Sequence, residues 1–336
     1  MIVPLAQRLP ITILLTLLLY QAGYWLPYSG DGSHMAWMAE TGWAVTQHSV
    51  LTSIIHRLVY LALWPFGVDG WHALMVSSAL AGSIAIQVLW RFWPHPLFLG
   101  ANLLTGSFLV FAGEVENYAW VNLFLLWTFI AVHGYLDGKR PLWHGMVLFG
   151  VAVLCHNLAL FYLFPLFYVL KRRWRFHPGE FLWPFLGALS LNFLLTFLMP
   201  NEGFDLGLTR LVPLFEPQRE GHWFTFFSQA HLEIKVYFFF ISGLFGLPLG
   251  WPLVLLLYRR LTSTFHIYLL LNALVGLLWF IVWHPDLGWI DWDLFSQPKI
   301  PLHFLVGLLL AGWSGDHLEP RLQPLLSRLQ LGRFGR

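Results

Sequence analysis

Five short stretches of the chain carry side chains that can do chemistry. The first is the run YSGDGSHMAWMAETGWAVTQHSVLTSIIHRLVY. Asp31 stands there between two glycines, a pattern that makes a tight turn and exposes the carboxylate. Glu40, His48 and His56 follow. Such a carboxylate can act as a general base or help hold a metal; its plainer role is that of a solvated turn residue. The second stretch is FAGEVENYAW, where Glu114 and Glu116 end one apolar run and Asn117 and Tyr118 begin the next. Residues two apart cannot share a helix face, so one glutamate is expected to turn into the protein. A glutamate near a helix N-terminus also suits the helix dipole.

The third stretch, CHNLALFYLF, interrupts an apolar run with His156 and Asn157. His156 can serve as a ligand or as a hydrogen-bonded packing residue. In the fourth, SQAHLEIKVYFF, His231, Glu233 and Lys235 alternate with apolar residues. Lys235 can pair with a phosphate as a point charge or extend its amine to lipid headgroups. The fifth, GWIDWDLFSQPK, holds Asp291 and Asp293 as D-x-D, a short pattern able to bind a divalent cation such as Mg or Mn that carries phosphates. Trp289 and Trp292 there can stack on a sugar or lie at a membrane interface.

Several chemistries are absent from the pattern. There is no H-E-x-x-H or C-x-x-C, and histidine spacing gives no strong metal signature. No G-x-x-x-x-G-K-[ST] occurs, so any group transfer must draw on a donor that is already activated. Cys155 is the only cysteine, which rules out an intrachain disulfide. With a net charge of +2 and no basic stripe interleaved with aromatics outside the loops assigned below to the cytoplasm, no nucleic-acid partner is expected.

The elements that must position these residues are membrane helices. The chain is 57% hydrophobic and 11% charged, against about 25% charged in soluble domains. Apolar runs near the length needed to cross about 30 Å of hydrocarbon recur from end to end. They are Leu9–Leu26, Trp71–Trp90, Pro96–Ala112, Tyr118–Leu136, Leu142–Leu154, Leu158–Leu170, Phe181–Met199, Val236–Tyr258, Phe265–Trp283 and Ile300–Trp313. The first could pass for a signal peptide but lacks an A-x-A site, so a retained anchor is expected. Ser49–Phe66 is also apolar, but His56 and Arg57 sit in its middle. Basic residues concentrate in cytoplasmic loops. If Ser49–Phe66 lies along the interface and the N-terminus is cytoplasmic, 14 of the 19 Lys and Arg fall inside; if it crosses, the cluster KRRWR is placed outside. The first layout is preferred. It then sorts 13 of the 17 acids to the non-cytoplasmic face, although acids played no part in choosing it.

The expected fold is therefore an all-α polytopic membrane protein of about ten transmembrane helices, with an amphipathic juxtamembrane helix in the first outer loop. Residues 1–313 form one transmembrane domain. Residues 314–336 form a basic amphipathic tail lying on the anionic inner leaflet. Both termini are expected in the cytoplasm and the chain in a bacterial inner membrane. The long links, Pro27–Gly70, Pro200–Lys235 and His284–Lys299, all fall outside, where sites are usually built.

These clusters, in this order, resemble the GT-C superfamily of membrane glycosyltransferases that use polyprenyl-phosphate sugars. The resemblance covers roughly residues 1–170. It rests on Asp31 in GDG after the first helix, on Glu40 and His48 before the interfacial run that holds His56, on ENYA from Glu116 opening the fourth helix, and on His156 in CHNLAL. It implies a periplasmic active site beneath the first loop. Asp31 would be the catalytic base for the acceptor hydroxyl, Glu116 or Glu114 would assist the acceptor or a metal, and His231 and Lys235 would hold the lipid phosphate. His48, His56, Tyr118, His156, Asp291 and Asp293 complete the substrate-binding set, with Glu40 grouped with the catalytic acids. Many members carry Asp-Glu at the first position, where this chain has Asp31–Gly32. The implied partners are a polyprenyl-phosphate-linked sugar, membrane lipids and an acceptor. A transporter, or a non-catalytic subunit of a membrane complex, is the alternative. A transporter would want acids in mid-span and broken helices in paired halves.

Overall fold

The computed structural model describes residues 5–25, 31–42, 48–172, 178–198, 211–215, 224–241, 247–285 and 293–317. Among these, thirteen α-helices follow one another: α1 Leu5–Gly23, α2 Gly32–Thr41, α3 Val50–Leu63, α4 Gly70–Phe92, α5 Pro96–Leu103, α6 Tyr118–Leu136, α7 Leu142–Cys155, α8 Leu163–Arg172, α9 Pro178–Leu198, α10 Gln229–Ile241, α11 Leu247–Leu256, α12 Thr264–Val282 and α13 Ile300–His317. No strand occurs among the described residues beyond one isolated antiparallel bridge, Leu211 to Trp283.

By length and composition, α4, α6, α9 and α12 are each long and apolar enough to cross a membrane. Other segments expected to cross are broken or shorter. The run Pro96–Ala112 is not one helix: α5 ends at Leu103 and a 3₁₀ turn, Gly106–Phe111, continues it. Thr105 and Gly106 sit at the break, both poor helix formers. The run Val236–Tyr258 divides into α10 and α11, with residues 242–246 between them outside the described set. Leu158–Leu170 begins as a 3₁₀ segment, Asn157–Tyr162, before α8. The expected tail lies outside the described residues from 318 onward, and α13 itself runs on to His317.

Where the run Ser49–Phe66 was expected to lie along the interface, α3 spans 14 residues. That is about 21 Å of helix, short of the ~30 Å of a bilayer core. Its inner face is Val50, Thr52 and His56, and its outer face carries exposed Leu58 and Leu61. The following turn leaves Phe66 81% exposed. One side of α3 is thus buried and the other exposed.

The core forms where α6, α12 and α13 meet. Phe129 packs edge-on against Tyr268 at 6.0 Å and against Phe304 at 6.1 Å between ring centroids. The helix ends sort into two groups. At one end, the start of α4 caps on Asp69, whose carboxylate accepts the His72 N–H at 2.9 Å. The starts of α6, α10 and α13 and the ends of α7 and α12 join it there, as the contacts below show. At the other end, Arg260 pairs with Asp316 at 2.8 Å and Lys139 with Asp137 at 2.7 Å. There too Glu180, in the first turn of α9, accepts the Leu142 N–H at 2.9 Å.

Candidate functional site

Two groups of side chains form at the first end. The acidic group is built on a chain crossing. Asp31 caps the start of α2, and its backbone N–H donates to Glu116 Oε1. The crossing is tight: a Cβ on Gly32 would lie 2.7 Å from the Val115 carbonyl oxygen, so only glycine fits there. Asn117 Nδ2 reaches Met35 Sδ at 3.3 Å and fastens the same turn to the next turn of α2. Glu114 and Glu116 are both buried, 6% and 5% exposed, while Asp31 is exposed to solvent. Both glutamates turn inward because the segment 112–117 is not helical, so the face rule for residues two apart does not govern it.

Behind this crossing lies an aromatic stack. Tyr118 stacks on His156 at 5.2 Å, and His156 lies 6.3 Å from His48. The backbone holds the stack in place. Asn157 N–H donates to the His48 carbonyl at 2.7 Å, and Thr52 Oγ1 donates to the Cys155 carbonyl at 2.9 Å. The start of α3 is thereby stitched to the end of α7. His156 Nδ1 accepts the Leu158 N–H at 3.2 Å, so this histidine also caps the turn after it.

Of the residues expected in this site, Asp31, Glu114, Glu116, Tyr118, His156 and His48 gather here. Glu40 does not. It sits at the far end of α2, about 14 Å of helix from Asp31. Its Oε1 accepts the Gly70 N–H at 2.7 Å and so caps α4. His56 is 2% exposed on the inner face of α3, and its Nε2 has no hydrogen-bond partner among the described residues. Burial pushes its pKa down to about 3, which keeps the ring neutral.

The basic group is built from α10, α12 and the segment before α13. Lys235 Nζ donates to the Trp283 carbonyl at 2.6 Å and lies 4.3 Å from the centroid of the Phe295 ring. His231 places Nδ1 2.7 Å from the Phe226 carbonyl oxygen and Nε2 3.1 Å from that of Ile281. Burial lowers its pKa, against the pull of these two carbonyls, which favour a doubly protonated ring. Two further residues join this group that the sequence reading did not select. His284, fully buried, stacks on Phe224 at 4.3 Å. Lys299, 2% exposed, donates to the Phe238 carbonyl at 3.1 Å and sits 5.7 Å from the Phe280 centroid. No described carboxylate lies within ion-pair distance of Lys299, and burial pushes its pKa down to about 7. A signal for Lys299 existed: it was one of five basic residues that the charge rule left on the acidic face. Asp291 lies outside the described residues, as does the side chain of Asp293, whose backbone opens the 3₁₀ turn Asp293–Phe295.

The two groups share a wall. Phe161, in the 3₁₀ segment after His156, meets Trp283 edge-on at 6.3 Å. Asn122 Nδ2 donates to Ser296 Oγ at 3.1 Å, and Tyr162 donates to the Gln297 carbonyl at 3.0 Å. One carboxylate–imidazole pair also stands beside the acidic group: His72 Nδ1 lies 2.7 Å from Asp69 Oδ1, next to the hydrogen-bonded Tyr20–Tyr24 pair. The His72 backbone N–H is the main cause holding the Asp69 carboxyl below its ordinary range.

Among the described residues no three His, Cys, Asp or Glu side chains converge as metal ligands, and Glu116 Oε1 is already engaged by a backbone N–H. No protein-family model, curated protein or solved structure matches the chain. Among the described residues, fold and site together define a helical protein with four helices long and apolar enough to cross a membrane, whose buried acids and buried bases lie at one end of the bundle.

Proposed function

We propose that this chain is an integral membrane glycosyltransferase of the GT-C type, which moves a sugar from a polyprenyl-phosphate carrier to an acceptor hydroxyl on the non-cytoplasmic side. The observation that supports it most directly is the bond from the Asp31 backbone to Glu116, which leaves the Asp31 carboxylate exposed above a buried acid. In the layout that goes with this reading, about ten crossings leave both termini in the cytoplasm of a bacterial inner membrane. The end of the bundle carrying Asp31 then faces outward.

The chemistry follows from the residues. The Asp31 carboxylate takes the proton of the acceptor hydroxyl. The acceptor oxygen forms its bond to the anomeric carbon as the bond from that carbon to the phosphate oxygen breaks. The phosphate leaves with the electron pair, and a single displacement inverts the anomeric carbon. Glu116 holds the base in place through its backbone N–H. Lys235, on the far side of the Phe161–Trp283 wall, is assigned to the departing phosphate, whose growing charge its ammonium would offset, with His231 beside it.

The test is reconstitution in liposomes with a panel of labelled polyprenyl-phosphate sugars. Wild-type protein should transfer label to an acceptor. Asp31→Asn should lose at least about 100-fold of that transfer, the scale of a general base, at unchanged abundance and thermal midpoint. Undiminished transfer by the variant removes Asp31 from the base role. Absence of transfer by well-folded wild type across the panel counts against the activity itself.

A further inference from the structure

The break between α5 and its 3₁₀ continuation packs against α4, α6 and α13 on its inner side, while Leu104 faces outward and is exposed. Its inward polar side chains, Asn102, Thr105 and Ser107, are buried, and buried polar groups need hydrogen-bond partners. A small cavity sits at this break. Its lining includes Asn102, Thr105, Ser107, Phe111, Leu126 and His303, and it leaves about 10 Å³ for the centre of a water-sized sphere. That is about the room one water needs.

Two of the lining groups lack a protein partner. Ser107 Oγ and His303 Nε2 are both buried with no hydrogen bond among the described residues, in side chains 3% and 2% exposed. Two more have capacity left. Asn102 uses Nδ2 on the Phe98 carbonyl at 2.8 Å, and Thr105 Oγ1 donates to the Asn102 carbonyl at 3.2 Å. The Asn102 side-chain Oδ1 and the Thr105 lone pairs can therefore accept. A water held by two to four such groups is the usual resolution of a buried polar pocket.

Packing fixes the walls. A Cβ on Gly307 would lie 2.9 Å from Phe98 and 3.0 Å from Asn102 Nδ2, so α13 presses on α5 through a glycine. One turn earlier, the same face of α13 brings His303 to the break. Lys299 stands one turn before His303. The groups that line the cavity, a hydroxyl, an amide and an imidazole, suit a neutral hydrogen-bonding occupant.

We infer that the α5 break is a hydrated site, in which one water bridges His303 Nε2 and Ser107 Oγ and ties α13 to the broken helix. The inference does not depend on the proposed transferase activity. It is tested first by an experimental structure, in lipid nanodiscs, at a resolution that shows ordered water. A peak within about 3.2 Å of both atoms is expected. An empty, dry cavity, or a rotated His303 bonding Ser107 directly, overturns it.

A second measurement uses thermal unfolding of Ser107→Ala, His303→Leu and the double variant. Removing one partner strands the other, whereas removing both leaves no half-made bridge between α13 and the broken helix. Each single variant should therefore lower the midpoint, and the double variant should lose clearly less than the sum of the two. Strict additivity counts against the bridge.

Discussion

The acidic and basic groups lie at the same end of one helical bundle and are built in opposite ways. The acids are set by backbone. Asp31 and Glu116 meet because α2 crosses the 112–117 turn at a glycine, and Glu40 is spent capping α4. The bases are set by burial beneath aromatic rings. Lys235 and Lys299 donate to the main-chain carbonyls of Trp283 and Phe238 and lie over Phe280, at 5.4 and 5.7 Å. A carboxylate met by an N–H dipole is stabilised as an anion. The Lys299 ammonium, met among the described residues by one carbonyl and a phenyl face, has lost most of its hydration, of which a desolvated cation–π contact returns about 2 kcal/mol. The acidic group should therefore be sensitive to changes of shape, and the buried Lys299 of the basic group to changes of pH.

The largest expected effect falls on the basic group. Lys299→Met keeps the length of the side chain and removes the buried charge. A pKa of about 7 in the folded protein against the ordinary 10.5 means that protonation at pH 7 opposes folding. Between those two values the unfolded chain binds one more proton than the folded one. Wild-type stability should thus rise as pH goes from 7 to 10.5, by about 1.4 kcal/mol per unit at the steepest. Below pH 7 both states are protonated and the penalty is constant. Lys299→Met should be more stable than wild type at pH 7, by about 1–4 kcal/mol, and should lose that slope. Chemical denaturation in detergent at pH 7 and pH 10 measures both. A variant that is less stable at pH 7 would show that Lys299 gains more from its surroundings than it loses in solvation.

The second effect falls on the acidic group. A Cβ at position 32 meets the Val115 carbonyl at 2.7 Å, a backbone atom that cannot swing aside. Gly32→Ala must push α2 off the 112–117 turn, at a cost of about 1–3 kcal/mol. It should also lengthen the bond from Asp31 to Glu116. Under the proposed function, transfer should fall further than stability alone accounts for. A variant with wild-type stability and wild-type activity would mean that the crossing is looser than its geometry indicates.

The same contrast explains what could be read from the sequence. The acidic group was legible because its members stand out locally. An aspartate between glycines, and a glutamate just before an apolar helix, mark turns and helix starts wherever they occur, and Tyr118 and His156 lie within a few residues of such marks. The basic group was only half legible. Lys299 and His284 adjoin ordinary apolar runs, and their partners come from far along the chain: Phe238 for Lys299 and Phe224 for His284. The break in α5 was missed for another reason. Leucine, phenylalanine and valine dominate its hydropathy, so Asn102, Thr105 and Ser107 read as tolerable polar residues within a single crossing. Their meaning depends on His303, nearly two hundred residues later, arriving at the same depth.

The smallest expected effect probes the backbone-set group at its other end. Arg57, on α3, donates through Nη1 to the carbonyls of Ala39 and Glu40, at 2.5 and 2.6 Å. These are carbonyls of the last turn of α2, which have no partner within the helix. A cation there also suits the helix dipole. Arg57→Lys keeps the charge but replaces a planar fork with a point donor. It should cost about 0.5–1 kcal/mol, the scale of one ordinary hydrogen bond. Arg57→Ala, which removes both the charge and the donor, should cost more. Because α2 positions Asp31 at one end and Glu40 at the other, the loss should appear as faster hydrogen exchange across Gly32–Thr41 before any change in the global midpoint. Equal exchange in the two variants and wild type would mean that the glycine crossing alone fixes α2, and that the charge on α3 contributes nothing to holding it.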